Sequence, residues 1–148
     1  MSVHQYLFLP IHPQWAVAIL TGSKKWELRR RRPSVASGDV VVLYATAPLQ
    51  AVVGSFLVGE VLSGSPRALW ESVRAGSGST RSSYFEIFAD APVVHAIEVT
   101  RPRRIDPYTP RFRVGQGWRF LDRSDPTHRS VIERVKRSRA SDPASRPR

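Results

Sequence analysis

The chain has 148 residues and no cysteine, and its 23 lysines and arginines against 12 aspartates and glutamates give a formal net charge of +11. This length suits one domain with a hydrophobic core, and the absence of cysteine excludes disulfides, thiolate metal sites and a cysteine nucleophile. No run approaches about 18 consecutive apolar residues, and the start of the chain lacks a signal-peptide pattern, so we expect a cytoplasmic protein with no membrane partner.

The positive charge is concentrated in the last third of the chain. Residues 1–100 carry nine Lys and Arg against seven Asp and Glu, whereas residues 101–148 carry fourteen against five. Nearly all of these cations are arginines, whose planar guanidinium suits phosphates and stacked bases. The charge therefore predicts a nucleic-acid partner. The alternative is an arginine-biased, solvated tail, because net charge speaks to solubility and non-specific binding.

Strand and helix patterns alternate in the first half of the chain. Apolar residues at helical spacing after Pro13 predict a short helix that Gly22 ends. Glu27 and Arg29 alternate with apolar neighbours, which is typical of a half-buried strand. The predicted strands of this half are residues 6–11, 25–29, 39–44 and 51–62.

A second helix is predicted where Ser65 serves as N-cap and Pro66 occupies the first helical position. The run GSGS at 76–79 breaks this helix. The elements predicted next are a short helix at 82–88, a strand at 93–100 and a closing or edge strand at 115–122.

The C-terminal part of the chain lacks the regular strand and helix patterns of the preceding residues. The pattern loosens after Thr100, in the proline-rich stretch RPRRIDPYTP, and Pro126 then precedes a short basic helix. Residues 140–148 have the composition of a disordered tail. We therefore expect residues 1–123 to form one domain and residues 124–148 to be a basic C-terminal extension.

Residues 22–29, GSKKWELR, match the pattern Gly-x-Lys-x-x-Glu-x-Arg. This pattern resembles the signature of the ASCH domains, a branch of the PUA-like superfamily. The flanking stretches LFLPIHPQWAVAILTG, SGDVVVLYATAP and GWRFL are also similar, so the resemblance covers roughly residues 6–122. It implies an α+β, PUA-like small mixed β-barrel with flanking short helices, a cleft facing the motif, and binding of RNA or another nucleic acid.

The motif can also be interpreted from its residues alone. Glu27 and Arg29 project to one face of a strand, and Lys24 lies in the preceding turn, within reach of the same opening. In a partly buried cleft, Glu27 would accept hydrogen bonds from these cations, which would hold a phosphate or a nucleobase carbonyl. The alternative is a surface ladder of salt bridges, which are individually weak.

The resemblance also implies a minority of enzymatic relatives, some of which hydrolyse 4-N-acylated cytidine. Lys24 would then be a base or nucleophile, which requires burial to lower its pKa, and Glu27 or Glu60 would move protons. This chain departs from that branch, which has threonine at the position of Glu27. The hydroxyl expected beside the lysine would have to come from Thr21, Ser23 or Thr46.

Ribonuclease activity is the other enzymatic alternative that the resemblance implies. Lys24 and Arg29 would serve it together with a general base, Glu27 or His12, without a metal. The four histidines show no metal-ligand spacing, so we expect neither a metal nor another cofactor.

Further candidates for ligand contacts lie outside the motif. An aromatic face could stack on a base and a hydroxyl could hydrogen-bond to its edge, and guanidinium groups could hold phosphates. Each of these candidates also has a structural interpretation. Tyr44 would be a core residue, Trp118 would close the barrel, and the run of arginines would be a solvated turn. The candidates are Tyr44, Thr46, Trp118, Arg119, Arg30, Arg31 and Arg32.

These observations predict a nucleic-acid-binding module that favours RNA or single strands. A base or nucleotide would occupy the cleft, while Arg30–Arg32 and the C-terminal arginines hold the backbone. The competing hypotheses are a hydrolase acting in the same cleft and a regulatory module that binds a nucleotide or small anion.

Overall fold

The computed structural model describes residues 3–141, in which one curled, half-barrel sheet of six strands is flanked by four helices. In chain order the elements are β1 (Tyr6–Ile11), α1 (Pro13–Thr21), β2 (Trp26–Arg29), β3 (Val40–Ala45), β4 (Ala51–Gly64), α2 (Pro66–Val73), α3 (Arg81–Phe88), β5 (Val94–Tyr108), β6 (Arg119–Phe120) and α4 (Pro126–Ala140). This arrangement confirms the predicted α+β fold, a small mixed barrel-like sheet with short helices.

The strand order in the sheet is β2-β5-β4-β3-β1-β6. β1 and β3 pair in parallel, with α1 and β2 between them in the chain, and the other neighbours are antiparallel. β2 is therefore an edge strand, paired through Glu27 with Ile97 and through Arg29 with His95. An edge position leaves the far side of β2 open to other groups.

Both faces of the sheet are covered by apolar side chains. On β3, Val40 and Val42 face the cluster completed by α4, whereas Val41 and Leu43 face the cluster that contains Ile19 of α1. A third cluster lies under α2 and α3, behind β2. Each fully buried valine, leucine or isoleucine contributes roughly 1.5–3 kcal/mol to folding.

β5 continues well beyond the predicted strand at 93–100. It runs through the proline-rich stretch to Tyr108, and its pairing with β4 shifts register at three places. Leu57 pairs with Thr100 and Ser55 with Arg103, which leaves one extra residue on β5, where Arg101 has a φ of +46°. The sequence did not predict this extension, because proline lacks the N–H that a sheet needs. Proline is nevertheless tolerated at a bulge, where the ladder of hydrogen bonds is interrupted.

The basic helix predicted after Pro126 is confirmed as α4. Asp125 caps it by accepting a 2.8 Å hydrogen bond from the Thr127 N–H. Val131, Ile132 and Val135 are buried against the sheet, so α4 is part of the hydrophobic core. The division of the chain after residue 123 stays a prediction, and the tail expected to be disordered lies largely outside the described residues. Within residues 3–141, no helix has the length and apolar character to cross a membrane.

Candidate functional site

A cleft of about 370 Å³ opens where β1 ends, beside α1, β2 and α3. Three charged side chains of the motif line it, and apolar side chains of α1 and α3 form the opposite walls. The residues that line the cleft include Lys24, Glu27, Arg29, His12, Trp15, Thr46, Ser79 and Phe88. Its size falls in the range of small-molecule sites in proteins.

Lys24 is held by the turn that follows α1. Gly22 ends the helix with a φ of +90°, and the Lys24 N–H then donates to the Ala18 carbonyl at 2.9 Å. The side chain is 6% exposed, and its Nζ donates a 2.7 Å hydrogen bond to the Ser77 carbonyl. Nζ also lies 5.4 Å from the centroid of the Trp15 ring. Burial lowers the pKa of Lys24, and the nearby Glu27 opposes this shift.

Glu27 lies between the two cations. Its Oε1 is 3.9 Å from Lys24 Nζ, and its Oε2 accepts a 3.4 Å hydrogen bond from Arg29. Burial raises the pKa of Glu27, while the charges of Lys24 and Arg29 lower it. Because Arg29 is 28% exposed, it is the member of the cluster best placed to meet a ligand from solvent.

One wall of the site comes from the loop after α2, which the sequence indicated only as a helix break. The Gly76 carbonyl accepts hydrogen bonds from the N–H groups of Lys25, at 2.6 Å, and Trp26, at 3.1 Å. Gly78 has a φ of +75° and packs against the stem of Lys24. The sequence signal that could have found this wall is the pair of glycines, since a left-handed residue in contact with another chain segment favours glycine.

Thr46 lines the cleft, but Tyr44 does not. The alternation of β3 turns Tyr44 toward the α4 side of the sheet, where its ring lies 5.4 Å from that of Phe8. The structure therefore places Tyr44 in the core rather than beside Lys24. Thr46 lines the cleft because it follows the last residue of β3, so the alternation of side chains between the two faces of the sheet no longer determines its direction.

The other hydroxyls considered beside Lys24 are engaged elsewhere. Thr21 Oγ1 donates to the Val17 carbonyl at 2.8 Å, and Ser23 Oγ donates to the Ala18 carbonyl at 3.2 Å. The hydroxyls that line the cleft are those of Thr46 and Ser79. His12 also lines it, at the N-cap position of α1, although its side chain makes no capping hydrogen bond.

A second cleft of about 450 Å³ adjoins the first and shares Arg29 and Phe88 with it. Arg30, Arg31 and Trp118 line this second cleft. Arg30 is partly occupied, because it forms a 2.8 Å salt bridge to Asp90 and a hydrogen bond to the Ile87 carbonyl.

Arg32 and Arg119 lie away from both clefts. Arg32 lines a separate hollow beside the turn before β3. The guanidinium of Arg119 lies 5.5 Å from the ring centroid of Phe112. In the part of the chain that the structure describes, no group of three histidines or carboxylates is arranged to hold a metal ion.

Comparison with known proteins places these observations in a family. Residues 9–103 match the family model described as ASCH domain. A curated protein from Zymomonas mobilis subsp. mobilis, named ASCH domain-containing ribonuclease, is 29% identical over 80 residues, which are 54% of this chain and 54% of that protein. The chain thus spans about half the length of the curated relative it matches.

Solved structures of the ASCH protein from Zymomonas mobilis have the same fold. One superimposes with a TM-score of 0.78 at 21% identity and covers 86% of this chain and 93% of that one. A serine-to-alanine variant of it gives a TM-score of 0.77 at 21% identity, covering 90% and 97%. At this level of identity the comparison shows the fold alone.

Proposed function

This chain belongs to the ASCH domain family, and on that premise we propose that it binds RNA, with a nucleotide held in the first cleft. The observation that carries the proposal is the charged cluster on the wall of the open cleft. In it, the cations of Lys24 and Arg29 lie within 4 Å of the buried carboxylate of Glu27. The name of the curated relative, a ribonuclease, supports RNA as the nucleic acid.

The chemistry of the cleft fits a nucleotide. Arg29 offers a planar, charged donor to a phosphate or a base carbonyl. Trp15 and Phe88 offer aromatic faces on which a base stacks, and the Thr46 and Ser79 hydroxyls offer hydrogen bonds to its edge. These contacts need an unpaired base, which favours single-stranded RNA. The adjoining cleft, with Arg30, Arg31 and Trp118, suits the neighbouring nucleotide and its phosphate.

Binding of a labelled 12-nucleotide single-stranded RNA, followed by fluorescence anisotropy, tests this proposal. Arg29→Met should weaken binding at least about 10-fold, since a hydrogen bond to a charged group contributes about 1.5–3 kcal/mol. Arg67→Met is the matched control, because Arg67 is exposed on α2 and lines neither cleft. If both variants weaken binding equally, the cleft does not hold the nucleotide and the effect is one of net charge.

A second function, cleavage of the bound RNA, is favoured by the position of Lys24 and Glu27. The two groups lie 3.9 Å apart, with the pKa of the lysine lowered and that of the glutamate raised. Both shifts bring the pKa values closer to neutral pH, and acid–base catalysis is most efficient when the pKa of the catalytic group lies near the working pH. In this reaction Glu27 takes the proton of a 2′-hydroxyl, whose oxygen attacks phosphorus. The bond to the 5′-oxygen breaks, Lys24 protonates that oxygen, and Arg29 neutralises charge on the phosphate.

The products distinguish this reaction from its alternatives. Cleavage by this route leaves a 2′,3′-cyclic phosphate, fails on an RNA with a 2′-deoxy sugar at the cleaved position, and proceeds with EDTA present. Lys24→Gln and Glu27→Gln should each lower the rate at least about 100-fold, while Arg67→Met keeps it. Release of cytidine from 4-N-acetylcytidine without RNA cleavage would instead assign the cleft to nucleoside amide hydrolysis.

A further inference from the structure

A basic groove of about 650 Å³ lies between the end of β5 and the exposed face of α4, on the side of the sheet opposite α1. We call it the arginine groove. Four arginines and one glutamate line it, so its lining carries three more positive than negative charges. Its defining residues are Tyr108, Arg111, Arg129, Glu133, Arg134 and Arg137.

Helical spacing collects these charges on one face of α4. Arg129, Glu133 and Arg137 follow each other at intervals of four, and Arg134 is next to them, whereas Val131 and Val135 are buried on the opposite face. Within residues 3–141, none of the four groove arginines lies within 4.0 Å of a carboxylate. These arginines therefore form no salt bridge in this part of the protein, and the groove keeps a net positive charge beside Glu133.

Two contacts pre-position the guanidinium groups. The Cζ of Arg134 lies 4.0 Å from the centroid of the Tyr108 ring, and Arg137 Nε donates a 3.4 Å hydrogen bond to the Glu133 carbonyl. Stacking uses the face of a guanidinium, so its N–H edges stay available to phosphate oxygens. Holding a long side chain in place reduces the entropy that binding would otherwise cost.

We propose that the arginine groove holds the sugar-phosphate backbone of single-stranded RNA, outside the nucleotide cleft. The eight helical steps from Arg129 to Arg137 span roughly 12 Å along the helix axis. This distance exceeds the size of one phosphate and matches a polyanion with several of them. The groove is open and mostly polar, with a single aromatic ring that Arg134 already covers. Such a surface suits backbone contacts rather than recognition of a base.

The loop between β5 and β6, residues 109–118, connects the groove to the clefts. Arg111 lies in the groove, while Trp118 lines the second cleft. Between them, Phe112 packs on the α4 side of the sheet, whereas Trp118 packs on the α1 side. The loop therefore passes from one face to the other near the β6 edge. An RNA strand that leaves the cleft past Trp118 would reach the arginine groove by following this loop.

The test compares two pairs of substitutions that remove the same charge. Arg129→Gln with Arg137→Gln alters the groove, and Arg67→Gln with Arg74→Gln alters two exposed arginines, one on α2 and one at its C-cap. Deleting α4 would be uninformative, because Val131, Ile132 and Val135 belong to the core. Thermal unfolding by circular dichroism checks that each variant folds. The probes are a 20-nucleotide single-stranded RNA and a mononucleotide.

Loss of two phosphate contacts lowers the slope of log affinity against log salt by about 1.4. Raising salt from 50 to 200 mM should therefore cost the groove variant about sevenfold less RNA affinity than it costs the wild-type protein. Mononucleotide binding should be unchanged, and the α2 variant should keep the wild-type slope.

Three outcomes would overturn this inference, which rests on the proposed RNA binding. An unchanged slope in the groove variant removes the groove from RNA binding, and an equal change in the α2 variant assigns the effect to net charge. Binding to phosphatidylserine vesicles that depends on the groove, with RNA affinity intact, makes the groove a lipid site. If Arg29→Met weakens RNA binding and the groove variant does not, the groove proposal alone fails. If the wild-type protein binds no RNA, the proposed function fails too.

Discussion

Replacing Gly78 with alanine tests whether the loop after α2 holds Lys24 in place. Gly78 has a φ of +75°, and a Cβ on it would lie 3.3 Å from Lys24 Cγ. The left-handed conformation costs an alanine about 1–2 kcal/mol. The contact adds to this cost, because moving the stem of Lys24 pulls its Nζ away from the Ser77 carbonyl, to which it donates a 2.7 Å hydrogen bond. Hydrogen bonds of charged groups contribute about 1.5–3 kcal/mol, so together with the backbone cost a total loss of about 2.5–5 kcal/mol is expected.

Two other glycines separate these contributions. Gly22 has a φ of +90° but open space where its Cβ would be, so Gly22→Ala should show the backbone cost alone, about 1–2 kcal/mol. Gly115 has open space and no left-handed φ, so Gly115→Ala should change stability by less than about 0.5 kcal/mol. The difference between Gly78→Ala and Gly22→Ala is then the free energy of the contact with Lys24.

Denaturant unfolding followed by tryptophan fluorescence measures the three free energies, and thermal unfolding should shift by roughly 3 °C per kcal/mol. The same proteins are then tested for binding to the 12-nucleotide RNA. Gly78→Ala should bind more weakly than Gly115→Ala, because Lys24 has moved. A Gly78→Ala protein that loses no more stability than Gly22→Ala and binds RNA normally would refute the role of this loop.

Three more predictions follow from the same structure. Because burial raises the pKa of Glu27 above 4.5 and lowers that of Lys24 below 10.5, the rate of RNA cleavage should rise with pH above 4.5 and fall before 10.5. Glu27→Gln should abolish the acidic limb of this pH–rate profile. Ile132→Ala should cost about 2–5 kcal/mol in denaturant unfolding, since its side chain is buried, and a cost below 1 kcal/mol would argue against a core role for α4. Asp125→Ala should lower stability by about 1 kcal/mol through loss of the helix cap, and an unchanged Tm would contradict this.

The charged edge of the motif could be predicted because it depends on local periodicity. In a strand, residues two apart share a face, and this places Glu27 beside Arg29 in the structure, with a 3.4 Å hydrogen bond. Lys24 is three residues before Glu27, in a turn that Gly22 makes, so it too was within reach of a local argument. The ASCH-type motif falls entirely within this short segment, which is why the sequence revealed it.

The partner that buries Lys24 could not be predicted in this way. Ser77 is 53 residues away in the chain, and its carbonyl is a backbone group that every residue possesses. The pattern GSGS therefore indicated a broken helix but not what the loop touches. The position of Tyr44 was ambiguous for another reason. Both faces of β3 are buried, so its residues are uniformly apolar and no alternation shows which face meets the cleft.

Burial separates the charged side chains of this protein into two groups. Lys24 and Glu27 are almost fully buried and form an ion pair with each other, and Arg29 pairs with the same carboxylate. We expect this cluster to serve recognition and proton transfer in one cleft. Three arginines of α4, Arg129, Arg134 and Arg137, are exposed and form no salt bridge with a carboxylate within residues 3–141. A phosphate can displace counterions from such side chains at little cost in desolvation. Affinity that depends on salt should therefore reside in the groove, and discrimination among nucleotides in the cleft.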